Sequence, residues 1–318
     1  MRFAICVLVA SFGVSAVLAA QDAATPSTTT TPAAAASAAD AGDVTGRPLP
    51  DIPALMRDVE LNQRKSEAIQ KDYIYHSVDT AQEVDAHGGI KKTEVTEFDH
   101  FWLNGVPVEK MVKKNGKPLS PDDLAKEDKR IDKEVAKAHE RRDKSDLQGK
   151  ETDPRGNDEI TVSRLLELGR FTNPRRVERN SRPTIEVDYT GDPNAKTRNR
   201  AEDIVRDMRG TVWVDEQDRV MVRVEGEFVN SFKIGAGLLV NIRKGTHFVA
   251  ETTKVNDEVW LPARVAGEGQ ARVLLLFNFN GSLQVVFSDY RKFRTTSTVL
   301  PGTTQTVSPE SQEGTGRP

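Results

Sequence analysis

Cysteine is almost missing from this 318-residue chain, the one example being Cys6. A lone thiol excludes a disulfide-stapled scaffold and any site built from several thiolates. There is no basic surplus either: 45 Lys+Arg stand against 48 Asp+Glu, a formal net charge of −3, which argues against a nucleic-acid binder. Apolar runs long enough to span a bilayer are lacking beyond the first 20 residues, so a multi-span helical membrane protein is excluded. Aromatic residues make up 6% of the chain, too few for the two aromatic girdles of an outer-membrane barrel.

Catalytic signatures are missing as well. The sequence has no HExxH, no G-x-S-x-G elbow, no S-x-x-K with partner motifs and no Walker-type phosphate loop. Gly235-Ala236-Gly237 lacks the third glycine of a dinucleotide site and reads as a loop. The histidines are His76, His87, His100, His139 and His247, and no two stand at the i,i+4 spacing of a helical zinc site. His76 and His100 can meet across neighbouring strands, or be two ordinary strand histidines. No enzyme activity, metal or cofactor is therefore expected.

Residues 1–20, MRFAICVLVASFGVSAVLAA, combine Arg2, an apolar stretch and small residues at Ala19 and Ala20, the pattern of a cleaved secretory signal. Cys6 would leave with it. The alternative is an uncleaved single anchor. Residues 21–50 are rich in Ala, Thr, Ser and Pro, and 294–318 have the same character, so both read as flexible extensions. The expectation is an exported, most simply periplasmic protein with one ordered domain over 51–293, not integral to the membrane once the signal is removed.

Within that domain, Ile52, Leu55, Met56 and Val59 recur at helical spacing and predict a helix over 52–70. Strands follow, with turn signals at His87-Gly88-Gly89, Asn104-Gly105 and Asn115-Gly116, which makes a three-stranded meander. Residues 121–150 hold nine acids and nine bases, so 18 of 30 positions are charged. They read as a solvated, ion-paired helix standing off the sheet, or as an arm that recruits a partner. A short helix ends near Gly169 and another lies near 199–208. The remainder reads as strands at 171–180, 184–190, 210–215, 219–229, 237–243, 246–255, 258–266, 271–279 and 283–290.

Asn280-Gly281 reads as a two-residue hairpin turn that sets Leu276 opposite Val285 and Leu274 opposite Phe287 on one face. Val273, Leu275, Phe277 and Val286 then share the other face. A hairpin apolar on both sides needs cover on both, from helices and from a sheet closing on itself or a ligand. Trp102, Trp213 and Trp260 read as packing residues or as the rim of an apolar cavity. Arg175, Arg176, Arg179 and Arg182 form a basic stretch, either a solvated loop or a surface for anionic headgroups or an acidic partner.

Two segments, Glu258-Val259-Trp260-Leu261-Pro262-Ala263-Arg264-Val265 and Val285-Val286-Phe287-Ser288-Asp289-Tyr290-Arg291-Lys292-Phe293, resemble the last hairpins of the outer-membrane lipoprotein-sorting proteins, the LolA/LolB/RseB-like family. Gly210-Thr211-Val212-Trp213-Val214-Asp215 and Arg223-Val224-Glu225-Gly226 are similar to its central strands. The resemblance is best over 205–293. It implies an α+β fold: a large, strongly curved antiparallel sheet, or half-barrel, with a few helices packed on it and an apolar cavity for acyl chains. The 121–150 segment would be an insertion, and no functional residue of the family is carried over. The cavity-lining candidates are Trp213, Val220, Val222, Val224, Trp260, Leu274, Leu276, Leu283, Val285 and Phe287, with Arg175, Arg176 and Arg179 as the basic surface. The function implied is non-enzymatic binding of a lipid acyl chain or lipoprotein in the cell envelope. A cavity filled by side chains would count against it. The alternative is an envelope structural or signalling adaptor that docks a protein partner through 121–150.

Overall fold

Asp51 caps the first helix: its Oδ1 accepts the Ala54 N–H at 3.0 Å, with Pro53 in the first turn. That helix, α1, spans Ile52–Gln70. In this computed structural model the described residues are 46–85, 87–234, 240–273 and 277–293. The signal, most of the linker, the Gly235-Ala236-Gly237 loop, Leu274, Leu276 and the 294–318 tail lie outside them.

After α1 come β1 (Tyr73–Val84), β2 (Ile90–Leu103), β3 (Val106–Lys114) and β4 (Lys117–Pro118). Helices α2 (Pro121–Asp146) and α3 (Val162–Leu168) follow, then β5 (Gly169–Arg179), β6 (Arg182–Gly191) and α4 (Arg200–Arg206). The chain finishes with β7 (Met208–Asp215), β8 (Val220–Phe228), β9 (Phe232–Ile234), β10 (Val240–Ile242), β11 (His247–Val255), β12 (Val259–Val273) and β13 (Phe277–Lys292). The main path of the sheet runs β4-β3-β2-β1-β13-β12-β11-β8-β7-β6-β5, with β9 and β10 attached beside β12. All pairs are antiparallel, and β4 and β5 remain as separate edges. Register shifts in β1/β13, β2/β3, β5/β6, β7/β8 and β11/β12 mark bulges, the irregularities that bend and twist a large sheet. Helix α1 lies across β8 and β12. The curved sheet with helices expected from the resemblance is present.

The Asn-Gly turns behave as their chemistry dictates at 104–105 and 115–116, where both residues of each pair take positive φ. At 280–281 they do not. Residues Asn280 and Gly281 sit inside β13, paired with Gln270 and Gly269 of β12, and the ladder continues to Val273↔Phe277. The expected strand 258–266 thus continues through 271–273 as β12, residues 277–279 open β13, and Val265 rather than Leu276 lies opposite Val285. Gly281 answers to a tertiary demand: a Cβ there would lie 1.7 Å from the Gln82 carbonyl oxygen of β1. Only glycine admits that approach.

Helix α2 does not stand off the sheet. Ile131, Val135 and Ala138 are buried against Val106 and Val108 of β3, with Phe101 and Leu103 beside them. Its charges pair mainly along its own length, Arg130 with Glu127 and Glu134 and Lys144 with Glu140. The other face of the sheet takes α1 and α3, whose Leu55, Met56, Val59, Leu165 and Leu168 form the main core with Ile185, Val187, Val212 and Val214.

Candidate binding site on the inner face

The face beneath α1 is ordered by strand register. Val187, Val212, Val224, Ala250, Val265, Val285 and Asp79 are successive cross-strand partners from β6 to β1. Six apolar residues therefore run in a line and end on a carboxylate. Phe287, Ser77 and Phe98 form a parallel row, and Tyr75, His100 and Glu109 the next.

Two halves of α1 meet this surface differently. Ile52, Leu55, Met56 and Val59 fill the core above β6 and β7. The second half instead turns Gln63, Ser66 and Gln70 toward Val222, Val224, Ala250, Trp260 and Val265. Gln70 Nε2 donates to the Trp260 carbonyl at 3.0 Å, but the buried Ser66 hydroxyl has no hydrogen-bond partner among the described residues. An unsatisfied buried hydroxyl costs about 1–3 kcal/mol. The cleft enclosed here is only about 50 Å³, against roughly 300–1,000 Å³ for small-molecule pockets. This cleft, roofed by the second half of α1, is far smaller than an acyl-chain pocket.

Of the candidate lining residues, Val220, Val222, Val224 and Trp260 border the cleft. Val285 and Phe287 are buried beside it in a cluster with Val265, with Leu283, Tyr75 and Ala250 packed around them. Trp213 does not belong to the site. It alternates with Val212 and Val214 and so faces outward, between the guanidinium groups of Arg179 and Arg223 at 5.5 and 5.2 Å from its ring. Trp260 donates its indole N–H to Asp218 at 2.9 Å, and Trp102 packs under Lys71.

The basic stretch is not a free cationic surface. Arg175 pairs with Glu186, Arg179 with Glu251, and Arg182 with Asp215 and Asp218. Arg176 is 3% exposed. It grips Glu216 through Nε and Nη2, each at 2.9 Å, and donates to the Arg47 and Pro48 carbonyls at 2.8 and 3.1 Å. The last residues of the segment read as linker are thus pinned to β5. Arg176→Met is expected to cost about 3–5 kcal/mol in urea unfolding, because it leaves Glu216 without its main partner in a largely buried setting.

Sequence reading passed over a polar cluster on the inner face of β1–β3. Ser77, fully buried, donates to Asp79 Oδ1 at 2.8 Å and accepts from His100 Nε2 at 2.9 Å. Tyr75 stacks on His100 with centroids 4.9 Å apart. Burial pushes Asp79 up to about 7 and raises Glu109. Burial likewise lowers His100 to about 3, with the Arg155 charge adding to it. Serine, histidine and aspartate are wired in the wrong order for acyl transfer. The carboxylate holds the serine rather than the far nitrogen of the imidazole, and the serine has no exposed surface. His76 does not join His100: it lies on the outer face between Asp99 (2.9 Å) and Glu97 (3.1 Å). Residues 75–79 read as an ordinary strand, and only the β2 register brings His100 to Ser77.

No family model matches the sequence, and no curated protein matches it significantly. Among solved structures it is similar to a putative outer membrane lipoprotein-sorting protein domain from Vibrio parahaemolyticus, at TM-score 0.32 and 11% identity over 76% of this chain and 94% of that one. A LolA superfamily protein from Nitrosomonas europaea gives TM-score 0.31 and 8% identity, over 74% and 93%. A DUF1329 family protein from Desulfovibrio piger gives 0.30 and 8%, over 75% and 92%. No helix among the described residues is long and apolar enough to cross a membrane.

Proposed function

We propose that this is a non-enzymatic protein of the cell envelope, most simply the periplasm, that holds an acyl chain or the lipid moiety of a lipoprotein against the inner face of its sheet. One observation supports this above the others. The polar side of α1, Gln63, Ser66 and Gln70, lies over the apolar row Val224–Ala250–Val265 and leaves the Ser66 hydroxyl unsatisfied. A helix that evolved only to seal this face would present apolar residues there, as the first half of α1 does. The described state is then the closed one, and an acyl chain enters by displacing the second half of α1 while Leu55 and Met56 stay anchored. The signal read at 1–20 would deliver the protein to the envelope.

Native mass spectrometry of protein purified from its own envelope tests the reading. The expected result is a bound lipid that leaves on mild activation. Delipidated protein that binds no fatty-acid probe saturably overturns it. The alternative, an adaptor docking a protein through 121–150, predicts no lipid and loss of a partner when the exposed face of α2 is altered.

A further inference from the structure

The apolar row does not fade out at its β1 end; it stops at Asp79, whose cross-strand partner is Val285. From Val224 to Asp79 there are four interstrand steps, about 19 Å at the usual strand spacing. Asp79 receives one hydrogen bond, from Ser77. No lysine or arginine pairs with it among the described residues, and the charged groups that act on it are Glu109 on β3 and His76 on the outer face. Glu109 lies on the same face, opposite His100, and Arg155, from the segment joining α2 and α3, offsets its charge. His100 is held neutral by its surroundings. One carboxylate with spare acceptor sites is thus left at the end of an apolar track, half-buried and without a counter-ion.

Resting on the carrier reading above, we infer that Asp79 anchors the polar end of the bound amphiphile and that this end carries an ammonium group. A cation donating to Asp79 supplies the counter-ion that the site lacks. A phosphate or sulfate head would face Asp79 and Glu109 together, with Arg155 balancing one of them. Ser77 and His100 are positioning residues, since their hydrogen-bond chain holds one oxygen of the Asp79 carboxylate in place.

The test compares dodecylammonium, dodecyl sulfate and dodecanol, each below its micelle concentration, by isothermal titration on wild type and Asp79→Asn, with circular dichroism confirming the fold of both. The expected result is dodecylammonium bound at least about tenfold more tightly than dodecyl sulfate, equivalent to ~1.4 kcal/mol. Asp79→Asn should bring the two within about threefold. Equal affinity for the two charged heads in wild type, or a preference that survives Asp79→Asn, overturns the inference. Dodecanol binding without head-group preference defeats this inference alone. Failure of all three probes to bind defeats the carrier reading with it.

Discussion

Asp79→Asn is expected to make the protein more stable at pH 8 and to leave it unchanged at pH 4. The Asp79 carboxyl is raised from 3.8 to about 7 in the fold, chiefly by burial, partly offset by the Ser77 hydrogen bond. The native state therefore holds a proton that the unfolded chain releases between those values, so stability falls as pH rises from about 4 to about 7. At about 1.4 kcal/mol per unit, discounted for partial exposure, the loss is ~2–3 kcal/mol. Asparagine escapes it and can still accept from Ser77. In a domain of this size that corresponds to roughly 5–10 °C. His100, lowered to about 3, acts in the opposite sense: its cost appears as pH falls below the ordinary imidazole range. Present in both proteins, it cancels in the difference. Scanning calorimetry at pH 4, 6 and 8 reads the result, and a shift of equal size at every pH would contradict the buried-carboxylate account.

Ser66→Leu should separate stability from binding. The substitution removes an unsatisfied buried hydroxyl, worth about 1–3 kcal/mol, and extends an apolar side chain into the 50 Å³ cleft against Val224 and Val265. Some of the gain is lost to tight packing, since overfilling a core costs about 1–3 kcal/mol. A net stabilisation of ~1–2 kcal/mol is expected, read as a higher urea midpoint at unchanged slope. If acyl chains enter beneath α1, the same change should weaken a fluorescent fatty-acid probe by about tenfold or more, because the closed state is favoured and its space is taken. Ser66→Ala is the control: it removes the hydroxyl without filling the cleft and should keep most of the binding. A Ser66→Leu protein that binds the probe as wild type does places the ligand elsewhere.

Much of the architecture was legible in local pattern. The spacing of Ile52, Leu55, Met56 and Val59 marks α1 to the residue, and the turns at 104–105 and 115–116 are where their backbone requirements put them. The period-2 strands likewise show. Asn280-Gly281 misled because a glycine required by the close passage of the β1 backbone looks, in sequence, like one required by a turn. Trp213 misled because alternation shows that two faces exist without saying which one is inner. The four arginines of 175–182 read as a basic surface because their acids, Glu186, Glu216, Asp215 and Glu251, come from other parts of the chain.

By itself the sequence determined what depends on neighbours a few residues apart: the helix face, most of the strand runs, the single cysteine, the lack of catalytic motifs, and the polar character of both ends. Only the tertiary structure decided what depends on register between distant strands. Antiparallel pairing places side chains in rows whose members are tens to hundreds of residues apart, and a one-residue slip would send each to the opposite face. That register sets Val224, Ala250, Val265 and Val285 in one apolar line, brings His100 to Ser77, and leaves Asp79 at its end. The closure of that line by the polar half of α1, with Ser66 unsatisfied, is likewise a fact of packing, since the helix reads as ordinarily amphipathic until the surface beneath it is known.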